Sequence, residues 1–134
     1  MNVEIFTLCN DSVLENGSIT INQSNDLLFP ATNNLPQTLA DGFIVVKIRF
    51  DTKNENPKKC IIQIKSPQNE LIEEFETEVK KPSKPLFDTF TVPIKIPLVG
   101  ISIPTFGKYN VSLQIDGTVL TEIQFYVIRP VSMN

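Results

Sequence analysis

Two thiols, Cys9 and Cys60, and one run of carboxylates, Glu73, Glu74, Glu76 and Glu78, are the residues whose types could do chemistry. A cysteine nucleophile needs a base close by to take its proton. The usual base is missing, because the chain contains no His. Nothing in the spacing of the two thiols pairs either one with a lysine or a carboxylate. Zinc needs several Cys, His or carboxylate ligands, and two distant cysteines do not assemble them. Paired carboxylates are the remaining route to acid–base work. On an extended strand Glu74, Glu76 and Glu78 fall side by side on one face. Such a row reads as a solvated, solubilising surface. Calcium wants oxygens converging from a loop; Asn10-Asp11-Ser12 and Asn25-Asp26 contain oxygens but no EF-hand pattern. The five Gly are scattered and form no phosphate loop. The expectation is no catalytic residue, no cofactor and no metal, in a protein that is not an enzyme. A catalytic alternative would have to use the glutamate row or a thiol.

The elements that hold these residues must fit in 134 residues, the size of one domain spanning 1–134. Apolar residues make up 41% of the chain, enough to build a core. A chain of this length buries roughly two-thirds of the surface its unfolded form exposes. The net charge of −3 and the lack of a basic stripe argue against nucleic acid and against an anionic membrane surface. Residues 1–10 lack a basic region followed by an apolar run, and no apolar stretch is long enough to cross a bilayer as a helix. These features point to the cytoplasm, where both cysteines are expected as free, buried thiols. The Asn-x-Ser patterns at Asn10, Asn16, Asn22 and Asn110 are then coincidences of composition.

Alternation of period two dominates the chain and predicts strands with one buried face. Ile44, Val46, Ile48 and Phe50 share a face, as do Cys60, Ile62 and Ile64. Phe90, Val92, Ile94, Ile96 and Leu98 form a third set, Tyr109, Val111, Leu113 and Ile115 a fourth, and Ile123, Phe125 and Val127 a fifth. Val3–Cys9 and Gly17–Asn22 read as earlier strands, joined through a turn signal at Asn16-Gly17. LIEEFETEV, residues 71–79, fits a strand better than a helix, after a turn at Ser66-Pro67-Gln68-Asn69. Residues 80–85, KKPSKP, read as an exposed connection, and 24–39 as a long loop that crosses between sheets. Asp116-Gly117 sits between two alternating strands and predicts a tight hairpin. Pro93 and Pro97 have the same parity within their strand. The N–H groups they lack point to one side, so that strand is expected at a protected sheet edge.

The stretch Pro104-Thr105-Phe106-Gly107-Lys108-Tyr109-Asn110-Val111 resembles the tyrosine corner of immunoglobulin-like sandwiches. In such a corner the Tyr hydroxyl bonds back to the backbone. Val111 stands where antibody domains carry a disulfide cysteine, and the chain has no Trp, so the antibody-type pin is absent. The layout as a whole resembles a family of small uncharacterised bacterial proteins. The similarity is carried by Cys9-Asn10, by Glu15-Asn16-Gly17-Ser18-Ile19 and by the ending from Pro104 through Val127. It implies an all-β fold, an immunoglobulin-like antiparallel β-sandwich of about seven to nine strands, and no assigned activity.

Without catalytic equipment, the leading expectation is a non-enzymatic protein-binding or scaffolding module. Its partner is another protein or a second copy of itself, and not nucleic acid or membrane. The alternative is a self-assembling structural subunit, a homo-oligomer held through a sheet bearing Val45, Ile61 and Tyr126.

Overall fold

The computed structural model describes residues 1–15, 18–24, 28–30, 35–39, 42–51, 58–80 and 86–128, and the side chains of those outside 10–34. The strands are β1 (Asn2–Glu15), β2 (Ser18–Ser24), β3 (Leu28–Pro30), β4 (Gln37–Thr38), β5 (Phe43–Asp51) and β6 (Lys58–Lys65). They continue with β7 (Leu71–Val79), β8 (Thr89–Pro97), β9 (Ser102–Ile103), β10 (Gly107–Ile115) and β11 (Thr118–Ile128). One sheet has the order β2-β1-β5-β8, a second β3-β11-β10-β6-β7, and a third is the short pair β4-β9. The protein is all-β and sandwich-like. The two larger sheets hold nine strands, and the short pair brings the described total to eleven. All pairings are antiparallel except that of β3 with β11.

The alternating sets meet in one core. Leu8 of β1, the even residues 44–50 of β5, Cys60, Ile62 and Ile64 of β6, Tyr109, Val111, Leu113 and Ile115 of β10, and Phe125 and Val127 of β11 all belong to it. Phe50 stacks on Phe90 across the β5–β8 pair, with ring centroids 5.3 Å apart. Tyr109 stacks on Phe125 across β10–β11 at 5.0 Å. Stacked pairs of this kind add roughly 0.5–1.5 kcal/mol beyond the area they bury. The short β4–β9 pair brings Leu39, Ile101 and Ile103 into the same core.

The corner before β10 is built as its sequence suggests. The Tyr109 hydroxyl donates to the Thr105 carbonyl at 2.7 Å and accepts from the Thr105 N–H at 3.2 Å. Tyr109 itself is fully buried. Gly107 has φ 130° and lies so close to the preceding hairpin turn that an added Cβ would sit 2.9 Å from Pro67 Cγ. That turn is closed by Ser66, whose carbonyl accepts the Asn69 N–H at 2.8 Å and whose hydroxyl accepts from the N–H groups of Gln68 and Glu70. Asp116 (φ 50°) and Gly117 (φ 84°) make the terminal hairpin between Ile115 and Thr118. Positive φ at both central residues matches the twist of the flanking strands.

Two expectations need correction. The segment 24–39 crosses from one sheet to the other, but it is not all loop: β3 and β4 lie within it. Their short apolar and polar patches are set by long-range partners, β11 and β9, so local pattern does not disclose them. Val45 does not share a sheet with Ile61 and Tyr126. It lies on β5 in the four-stranded sheet and is fully buried, while the other two lie on β6 and β11. The turn at residues 16 and 17 and the connection 81–85 lie outside the described residues, although the pairing of Glu15 with Ser18 brackets the first. Tyr109→Phe removes both bonds and leaves the part-buried N–H and C=O of Thr105 without their partner. It should lower the unfolding free energy by about 1–2 kcal/mol, measured as a shifted urea midpoint at unchanged slope.

Candidate functional site

The glutamate row occupies β7, which pairs only with β6 and forms one margin of the five-stranded sheet. The direction of its backbone groups follows from the neighbouring strands. Asp116 N–H donates to the Lys59 carbonyl at 2.9 Å, and Lys59 N–H donates to Asp116 Oδ1 at 2.9 Å. Lys59 therefore turns its backbone groups toward β10. Alternation turns those of Cys60 and Ile62 toward β7, where they face Thr77 and Phe75. The N–H and C=O groups of Glu74, Glu76 and Glu78 consequently point away from the sheet. The Glu74 N–H on that side is met by its neighbour's carboxylate, Glu73 Oε1, at 3.3 Å. Among the described residues, no strand pairs with this edge.

The side chains of the row lie on the outer face of the sheet and are exposed. Glu76 pairs with Lys59 at 3.0 Å and Glu78 with Lys80 at 3.8 Å. Glu74 accepts from Gln63 Nε2 at 2.7 Å, and Gln63 in turn accepts from Gln114 at 2.9 Å. Exposed pairs of this kind contribute at most about 1 kcal/mol. Among the described residues, no two carboxylates share a desolvated pocket that would set one up as a proton donor.

The other candidate edge is closed. β8 pairs only with β5. Leu98 N–H donates to the Gly42 carbonyl at 2.9 Å, so parity turns the even residues of β8 toward β5 and Pro93 and Pro97 outward. Two of the positions that could donate to an added strand have no N–H.

Between β7 and β8 the sandwich is open along a crevice of about 290 Å³. Phe75 and Thr77 line it from one sheet, Ile94 and Ile96 from the other, and Cys60 and Ile62 form its floor. Cys60 is 1% exposed, and burial pushes its thiol up to about 11. A thiol held in that state is not a nucleophile near neutral pH. Neither cysteine is disulfide-bonded and both are buried, Cys9 on β1 and Cys60 on β6. Among the described residues, no group of three or more Cys, Asp or Glu stands close enough to hold a metal. The oxygens of 10–12 and 25–26 lie outside the described side chains. No helix among the described residues is long and apolar enough to cross a membrane.

The sequence model of a family of unknown function, DUF6941, matches residues 4–128. This chain belongs to DUF6941. No curated protein matches it in sequence. The family match runs from β1 to the last residue of β11, so it takes in the β7 edge, the crevice and the tyrosine corner of this DUF6941 chain. The glutamates were visible in the sequence as a row. The crevice was not, because its walls come from strands that pair with different partners.

The buried thiol carries a pH signature. Its folded value, about 11, lies above its ordinary 9.0. The native state therefore holds the proton more tightly than the unfolded chain does, and stability is lost as pH rises from about 9 through about 11. Cys60→Ala should remove that part of the alkaline decline when the two proteins are unfolded by urea at pH 8 and pH 11. The native wild-type thiol should also resist a disulfide-exchange reagent at pH 8 until denaturant is added.

Proposed function

We propose that this chain is a non-enzymatic protein-binding module that receives an extended segment of another protein along β7. The observation that carries the reading is the unequal treatment of two edges. β8 withholds N–H groups at Pro93 and Pro97, whereas β7 presents the backbone groups of Glu74, Glu76 and Glu78 outward with no proline among them. An edge whose outward donors and acceptors are taken up by no other strand is a template for strand addition. The non-enzymatic part of the reading is supported by exposed, solvated glutamates and a buried, protonated Cys60.

The acidic row also favours a different protein over a second copy. Two β7 edges pairing with each other would bring glutamates opposite glutamates, which destabilises a ladder. The self-assembling alternative draws no support from Ile61 and Tyr126, which the polar side chains of Gln63, Asn110, Gln114 and Gln124 separate on the outer face. The same negative charge runs against nucleic acid. Two buried cysteines outside any disulfide agree with a reducing, cytoplasmic setting. The connectivity supports an immunoglobulin-like reading: β1, β5 and β8 correspond to strands A, B and E, and β6, β10 and β11 to C, F and G.

The test uses Glu76→Pro, which deletes an outward N–H without touching the β6–β7 ladder. A partner captured by the wild-type chain should be lost from this variant and retained by Glu76→Gln. Equal capture by the proline variant sinks the reading. Sedimentation at high concentration should show a monomer; a dimer that Glu76→Pro dissolves would favour self-assembly.

A further inference from the structure

Resting on the reading of β7 as a docking edge, we infer that its partner is an extended segment in which basic and apolar residues alternate. The geometry of an added strand decides this. Residues of the incoming strand opposite Glu74, Glu76 and Glu78 place their side chains on the outer face, beside three carboxylates. Glu76 and Glu78 side chains are 52% and 57% exposed, so an incoming cation can reach them. β7 carries four glutamates and no lysine or arginine. Lys or Arg is therefore the complement at the outward positions.

The intervening residues of the incoming strand point the other way. They fall opposite Phe75 and Thr77, over the mouth of the crevice between β7 and β8. Its lining is mainly apolar, with Phe75, Ile94 and Ile96 around the buried Cys60 and Ile62, and Glu76 and Lys95 also border it. Val, Ile or Leu side chains at these positions would fill the crevice and cover core residues that are now only partly buried. The β8 edge cannot compete for the same segment, because Pro93 and Pro97 interrupt its donors. One edge and one crevice thus select a single pattern, basic at one parity and apolar at the other. A purely basic segment lacks the crevice contact, and a purely apolar one lacks the charge match.

The test is a set of labelled synthetic nonapeptides titrated with the full chain and read by fluorescence anisotropy. One alternates Lys with Val, one alternates Glu with Val, and one has the Lys–Val composition in shuffled order. The Lys–Val peptide should bind at least about tenfold more tightly than the Glu–Val peptide, since three surface pairs supply on the order of 1–2 kcal/mol. The shuffled peptide should be weaker as well, and added salt should narrow the first difference. The triple variant Glu74→Lys, Glu76→Lys, Glu78→Lys changes only exposed side chains and should reverse the preference toward the Glu–Val peptide. Thr77→Trp, which fills the crevice mouth, should weaken the Lys–Val peptide without changing the charge preference.

Equal binding of the Lys–Val and Glu–Val peptides, both abolished by Glu76→Pro, overturns the partner class and leaves the docking edge standing. Binding that ignores Glu76→Pro, or no binding by any peptide, overturns both readings.

Discussion

Backbone N–H and C=O groups at the margin of an open sheet have no partner within that sheet, and a sandwich of two open sheets must dispose of four such margins. Here they are β2, β8, β3 and β7. The constraint is strict because these groups keep their hydrogen-bonding capacity wherever the chain places them. β3 is only three residues long, and β8 lacks two of its outward donors. β7 runs nine residues, as long as β5 and β10, with its outward backbone groups intact. Its protection is charge, together with the Glu73 carboxylate that meets the Glu74 N–H. Charge repels a like edge but attracts an unlike one, so under the proposed reading the same feature would keep two copies apart and select a partner.

The position of that edge rests on a chain of local contacts that begins far from it. Tyr109 is tied to Thr105, and Gly107 sits against Pro67, so the start of β10 is fixed to the turn that joins β6 to β7. At the other end, Asp116 is bonded to Lys59, which sets the register of β6 against β10. The two fastenings hold β6 at both ends. β6 in turn sets which residues of β7 face inward, and therefore which glutamates turn their backbone groups outward. A slip of one residue would invert this pattern and bring the glutamates over the core.

The same inward face explains why the thiol is quiet. Cys60 lies between Ile62 and the walls of the crevice, in surroundings that favour the neutral form of an acid. Its role is to pack. The crevice above it exists because β7 and β8 belong to different sheets and do not hydrogen-bond to each other. An opening of this kind is the ordinary result of stacking two open sheets, and under the proposed reading it serves recognition because one of its borders is also an edge that no described strand covers.

Strands whose partners bury one face were legible from residue types. Ile44 to Phe50 and Tyr109 to Ile115 announce themselves by alternation, the Asp116-Gly117 hairpin by two residues that accept positive φ, and the β8 edge by the parity of its prolines. The corner was legible because Gly107 and Tyr109 meet a local need at a short, fixed spacing. Short strands such as β3 and β4 were not, since three or two residues carry no period and owe their pairing to β11 and β9. The same holds for Val45, whose apolar side chain suggested a shared outer face but whose sheet is decided by strand order. The sandwich-forming strands, the closed edge at β8 and the solvated glutamate row follow from residue types alone, because each depends on side-chain chemistry within one short segment. That the row lies on a margin no described strand pairs with, beside a mainly apolar crevice, emerges from the packed fold, because that juxtaposition depends on which strands become neighbours across the two sheets.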